Sequence, residues 1–128
     1  MPHIVREDEA KKLETSVLFG SPNEYASLSQ AIASPKSKNL TGGYLRLKPG
    51  YDKELQSPVD EIDLFLEGSL TLTFDGQTLK PKKGDILFIE KGSKIHFKTE
   101  DGCLVFFVTY PLLQETVDEL LKQKKQSE

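Results

Sequence analysis

The chain has 128 residues, with 17 Lys and Arg set against 20 Asp and Glu for a net charge of -3. That length supports one core, so a single domain over residues 1–128 is expected. The near-balanced charge excludes the broad attraction that nucleic acid or an anionic membrane surface needs. A single cysteine, Cys103, excludes an intrachain disulfide framework or thiolate zinc site. Acid stands near the start where a signal peptide carries its apolar core, and no later apolar run approaches the ~20 residues of a membrane span. A cytoplasmic protein with a small or protein partner is expected.

In chain order, Arg6 to Leu13 reads as a short helix, with Glu7, Asp8 and Glu9 near its positive end and Lys11 and Lys12 near its negative end. Gly20, Pro22 and Asn23 mark a turn before a weak strand from Leu28 to Ala33, and Pro35 to Asn39 reads as an exposed loop. From Gly43 the signal strengthens, because Tyr44, Arg46 and Lys48 alternate with Leu45 and Leu47 up to Pro49-Gly50.

Glu61 to Glu67 is the most informative strand. Ile62, Leu64 and Leu66 fall at every second position, so Glu61, Asp63 and Phe65 share the opposite face. Gly68 then lets the chain bend into Ser69 to Phe74, and Asp75-Gly76 supplies the positive φ angles of a tight hairpin that pairs Leu70–Phe74 with Gln77–Lys80. Asp85 to Ile89 is a short apolar strand. Ile95 to Lys98 and Cys103 to Tyr110 are expected to pair through the second Asp-Gly, Asp101-Gly102. Seven or eight short strands with regular turns argue for an antiparallel sandwich or barrel. After Pro111, the residues Leu113, Val117, Leu120 and Leu121 recur at helical spacing, predicting a helix over about 111–125 that packs outside the sheet or on a second subunit.

Together, Glu61 to Gly68, the Asp75-Gly76 hairpin, Gly84-Asp85 and Lys91-Gly92 resemble a cupin. Gly84 to Gly92 is similar to the second cupin motif, with Glu90 in place of its proline. More closely, Asp60 to Gly68, Gly84 to Ile89, Lys91-Gly-Ser93 and Val108-Thr-Tyr-Pro111 resemble the ethanolamine-utilisation Q-type cupins, over roughly Gly43 to Pro111. The resemblance implies an all-β fold, a double-stranded β-helix or cupin jelly-roll barrel. It would have its core at about 43–111, a short N-terminal helix and a C-terminal helix. It also implies a small polar ligand inside the barrel and leaves acetate-kinase-like phosphoryl transfer open.

Metal-dependent cupins place two histidines shortly before the glutamate and a third in the second motif, since neutral imidazole is a good transition-metal ligand. The spacing here puts Glu54, Gln56 and Ile95 at those places. His96 is one residue out of register and is expected on the outer side. Glu61 and Asp63 are therefore the main candidates, either as acid and base or as ligand contacts, because two close carboxylates in an enclosed cavity must take up a proton or share a cation. Tyr44, Arg46, Glu54, Gln56 and Tyr110 are candidate ligand contacts. No cofactor is assigned, and a divalent metal on Glu54, Gln56, Glu61 and His96 stays open. Cys103 reads as a small core residue. Two alternatives to a binding cupin remain: a metal-dependent isomerase, hydrolase or oxygenase, and a non-catalytic binding or assembly module. The apolar set Ile62, Leu64 and Leu66 needs cover, which motivates a homodimer.

Overall fold

The alternation read from the sequence becomes two antiparallel sheets in the computed structural model, which describes the backbone of residues 2–127. After helix α1 (Glu7–Lys12) come strands β1 (Glu14–Thr15), β2 (Val17–Leu18), β3 (Ser21–Pro22), β4 (Ala26–Ile32), β5 (Thr41–Leu47) and β6 (Asp52–Gln56). They are followed by β7 (Asp60–Gly68), β8 (Thr71–Phe74), β9 (Gln77–Leu79), β10 (Ile86–Ile89), β11 (Lys94–Lys98), β12 (Cys103–Tyr110) and helix α2 (Leu113–Ser127). One sheet has the order β1-β4-β5-β12-β7-β10, the second β6-β11-β8-β9, and β2 pairs with β3 alone.

The inner faces of the two large sheets share one core. Leu47, Phe65 and Val105 from the first meet Leu72 and Ile95 from the second, with Tyr51 packed among them. A second cluster, Leu28, Val59, Phe107, Leu113 and Val117, forms where the start of α2 docks. The helix thus covers an end of the core through its first two turns, whereas Leu120 and Leu121 stay largely exposed. The expectation put α2 on the outside of the sheet or on a second subunit; Leu113 and Val117 dock it against Leu28, Val59 and Phe107. Its anchor is a helix-end hydrogen bond: the Leu113 N–H donates to the buried Thr41 hydroxyl at 2.9 Å, satisfying a group the helix itself leaves free.

The two Asp-Gly pairs behave differently. Asp75 (φ 47°) and Gly76 (φ 73°) make the expected hairpin, with Leu72 opposite Leu79. Asp101-Gly102 makes no hairpin, because β11 pairs with β6 and β8 while β12 pairs with β5 and β7. The chain crosses here from one sheet to the other. Thr99 holds the crossing, its hydroxyl donating to the Ser69 carbonyl at 2.8 Å and accepting from the Gly102 N–H at 2.9 Å. Opposite it, Gly68 has a φ of +74°, and a Cβ there would stand 2.1 Å from the Gly102 carbonyl oxygen. Only glycine serves at that contact.

Strand β6 has no counterpart in the sequence reading. Leu55 is the one apolar residue in Asp-Lys-Glu-Leu-Gln, so no alternation was visible. It forms because β11 offers it a free edge, with Ile95 opposite Leu55.

Candidate functional site

Strand β7 carries the site inward. Its neighbours β12 and β10 hold it in the sheet, with Phe107 and Leu87 both opposite Asp63. Strand alternation then sends Glu61, Asp63 and Phe65 toward the core and leaves Ile62, on the other side, 49% exposed. Glu61 is partly buried, while Asp63 is only 4% exposed. The acidic pair therefore runs from a partly open level into the interior.

Both carboxyls line a cavity between the sheets with about 50 Å³ of space that the centre of a water molecule can reach. Its walls are mostly apolar, Leu55, Phe97 and Phe107 among them, and its other polar contributors are Tyr51, Ser57 and Cys103. Among the described residues, no Lys, Arg or His lines it.

This setting determines the protonation of the pair. Burial pushes Asp63 well above the ordinary carboxylate range, and the adjacent Glu61 charge and hydrogen bond push it further. Burial also raises Glu61, partly offset by its hydrogen bond with Asp63. Those directions favour a proton on Asp63 and an acceptor role for Glu61. Asp63 Oδ1 is nonetheless buried without any hydrogen-bond partner in the protein. Such an atom loses its water without compensation, so a water or ligand donor in the cavity would be strongly favoured. The other titratable walls stay neutral near pH 7: burial lifts the Tyr51 hydroxyl to about 12, and burial together with the Asp63 charge lifts the Cys103 thiol to about 11. A thiol held in that state is a weak nucleophile.

The remaining sequence candidates lie elsewhere. On β5, Leu45 and Leu47 line the cavity, so Tyr44 and Arg46 take the outer face. There the Tyr44 ring meets Phe106 at 6.2 Å edge to face, and Arg46 pairs with Glu67 at 3.6 Å. Tyr110 is 57% exposed, because β12 buries Cys103, Val105, Phe107 and Thr109 and so turns its even-numbered positions outward. Glu54 and Gln56 also point out: Glu54 pairs with Lys94 at 3.3 Å, and the Gln56 amide donates to the Gly92 carbonyl at 3.2 Å.

In the stretch from Asp52 to Asp60, the residues that line the cavity are instead Leu55 and Ser57. The spacing argument was thus one residue out at β6. Ile95 is buried in the core, and His96 contacts Asp52 outside the cavity, as expected. A cupin metal set does not fit this arrangement, since Leu55 and Ile95 offer no donor where imidazoles would be needed. Among the described residues, no cluster of three or more His, Cys, Asp or Glu could hold a metal. Tyr51 and Ser57 were missed by the sequence reading. Ser57 shares the inward side with Leu55, and a single apolar residue gave no periodic signal that could have found it.

Proton linkage gives a test. Between the ordinary aspartate value of about 3.9 and the raised folded value, the unfolded chain has lost a proton that the folded chain keeps, so stability falls as pH rises through that window. Asp63→Asn should remove this fall, making the variant relatively more stable at pH 8 than at pH 5 by about 1 kcal/mol or more. Urea denaturation at both pH values measures it, and an unchanged pH dependence would contradict the assignment.

The family of the ethanolamine utilisation protein EutQ matches residues 3–115. Acetate kinase EutQ of Clostridioides difficile (strain 630) is 32% identical over 108 residues, covering 84% of this chain and 65% of that protein. Acetate kinase EutQ of Escherichia coli (strain K12) is 46% identical over 92 residues, covering 72% of this chain and 39% of that protein. The chain thus spans between about two fifths and two thirds of the length of these curated relatives. A crystal structure of a putative ethanolamine utilization protein Q from Salmonella typhimurium LT2 superimposes with a TM-score of 0.63 at 29% identity, covering 68% of this chain and 70% of that one. With the family match extending over most of its length, this chain belongs to the EutQ family of the cupin superfamily.

Proposed function

We propose that this EutQ-type cupin binds a small polar molecule between its sheets, with Glu61 and Asp63 as the main contacts. In this reading the two sheets are the halves of a double-stranded β-helix, closed as a jelly-roll barrel around the ligand. The observation that carries it is the unpartnered oxygen of Asp63, buried beside a second acid that lines the same cavity. A purely structural acid would have its acceptors satisfied by the protein.

Both named relatives are acetate kinases, and phosphoryl transfer needs a magnesium clamp and positive charge at the phosphates. Among the described residues, the cavity lining supplies two acids and no cation. An acetate-kinase-like activity of this chain would therefore place its phosphates outside the cavity, and ligand binding is the better-supported role for the cavity itself. The metal-dependent alternative loses support from Leu55 and Ile95, which occupy inward positions without donors.

We also propose a homodimer through the outer face of β7, β10 and β12. Ile62 stands opposite Phe88, and Leu64 opposite both Ile86 and Phe106. Ile86 is 72% and Phe88 59% exposed, so one apolar patch runs to the sheet edge. A self-complementary patch of that kind suits a two-fold contact between copies. Sedimentation at micromolar concentration should give twice the 14.4 kDa chain mass, and Phe88→Glu should shift it to monomer. A wild-type monomer would remove the proposal.

Thermal melting against a panel of small amines, alcohols, carboxylates and divalent ions tests the binding role. A true ligand at 100 times its Kd should stabilise the fold by about 2.7 kcal/mol, a shift of several degrees that Glu61→Gln or Asp63→Asn abolishes. If no compound shifts melting, the cavity is not a ligand site and the non-catalytic assembly module is favoured.

A further inference from the structure

We propose that the cavity is selective for a small primary ammonium with a short aliphatic tail, the ammonium seated on Glu61 and Asp63. This deepens the small-molecule reading above and rests on it. The chemistry of the walls decides the class. Every formal charge lining the cavity is negative, and among the described residues no cation is present to receive an anionic ligand. A carboxylate or phosphate would bring a third acid against the pair. An alcohol supplies a single donor and leaves the two acids to share their proton as before.

An ammonium brings three donors. Asp63 Oδ1 is an acceptor without a partner, and Glu61 is an acceptor beside it. Ser57 is the third polar wall of use, because its hydroxyl donates to the Val59 carbonyl at 2.6 Å and so keeps its own lone pairs free to accept. The ligand's charge also replaces the shared proton one for one. Both acids can then ionise with the total charge of the occupied site unchanged, and Tyr51 and Cys103, the other titratable walls, stay neutral throughout.

Size and lining define the remainder of the ligand. Space of about 50 Å³ for water centres corresponds to roughly three to five water-sized positions, enough for a chain of about four to six heavy atoms. Leu55, Phe97 and Phe107 are apolar surfaces for such a tail. A divalent ion is a poorer occupant, since it demands about six oxygen donors and most of these walls are hydrocarbon.

Calorimetric titration of the full chain at pH 7.5 with n-propylammonium, n-propanol and propionate, three probes of similar shape and different charge, tests the selectivity directly. The expected result is one propylammonium per chain, at least tenfold tighter than either of the others, with a proton released on binding in weakly buffered solution. Asp63→Asn, Glu61→Gln and the space-filling Leu55→Phe should each weaken it at least tenfold. The ranking of the three probes on wild-type protein stands even if a variant fails to fold. Tighter binding of propanol or propionate, abolished by Asp63→Asn, overturns the ammonium assignment while leaving the cavity a ligand site. Failure of all three probes, or propylammonium binding without proton release, also overturns it. The broader melting panel decides separately whether the cavity binds anything at all.

Discussion

Placing a carboxyl group inside a sheet core beside a second carboxyl is the constraint on which this structure turns. Asp63 cannot ionise freely there, because burial removes its water and Glu61 adds a like charge. Its carboxyl is held toward the protonated form, and its Oδ1 is left without a partner in the protein. A fold concerned only with stability would place an apolar residue at position 63, as β7 does with Phe65. The cost is confined to a cavity whose other walls are mostly hydrocarbon, which is the usual anatomy of a small-molecule site.

The remainder of the fold holds that pair in place. Strands β12 and β10 flank β7 on both sides, so its register, and with it the inward direction of Glu61 and Asp63, is fixed twice over. Gly68 allows the end of β7 to touch the crossing at Gly102, and Thr99 ties that crossing back to Ser69. Thr41 anchors α2, whose Leu113 contributes to the cavity wall. The outer face of the same three strands is apolar as well, so one short segment presents a candidate ligand site inside and a candidate subunit contact outside.

Much of this was legible in the residues alone. The alternation of Glu61 to Glu67 assigned both faces of β7, the Asp75-Gly76 pair marked the β8–β9 hairpin, and the periodic leucines marked α2. The failures have a common origin in local signals that do not state their tertiary context. On β5, alternation shows that Tyr44 and Arg46 share a face; only packing against the second sheet shows that Leu45 and Leu47 take the inner one. Asp101-Gly102 has the composition of a hairpin, but Thr99 redirects the chain across the core. On β6, motif spacing proposed Glu54 and Gln56, and a slip of one residue turned both outward, since nothing in Asp-Lys-Glu-Leu-Gln pins the register by hydrophobicity. Cys103 was correctly placed in the core, though its position on the cavity wall required the sheets to be assembled first.

The raised positions of Asp63 and Glu61 imply a proton held in common between them inside the protein. Carbon-13 NMR titration of the side-chain carboxyls in ligand-free protein, with the Asp63 and Glu61 signals assigned, observes that proton directly. The account predicts a coupled titration of the two signals, with Asp63 losing its proton well above the ordinary carboxylate range. An Asp63 carboxyl that titrates alone near the ordinary value of about 3.9 would contradict it.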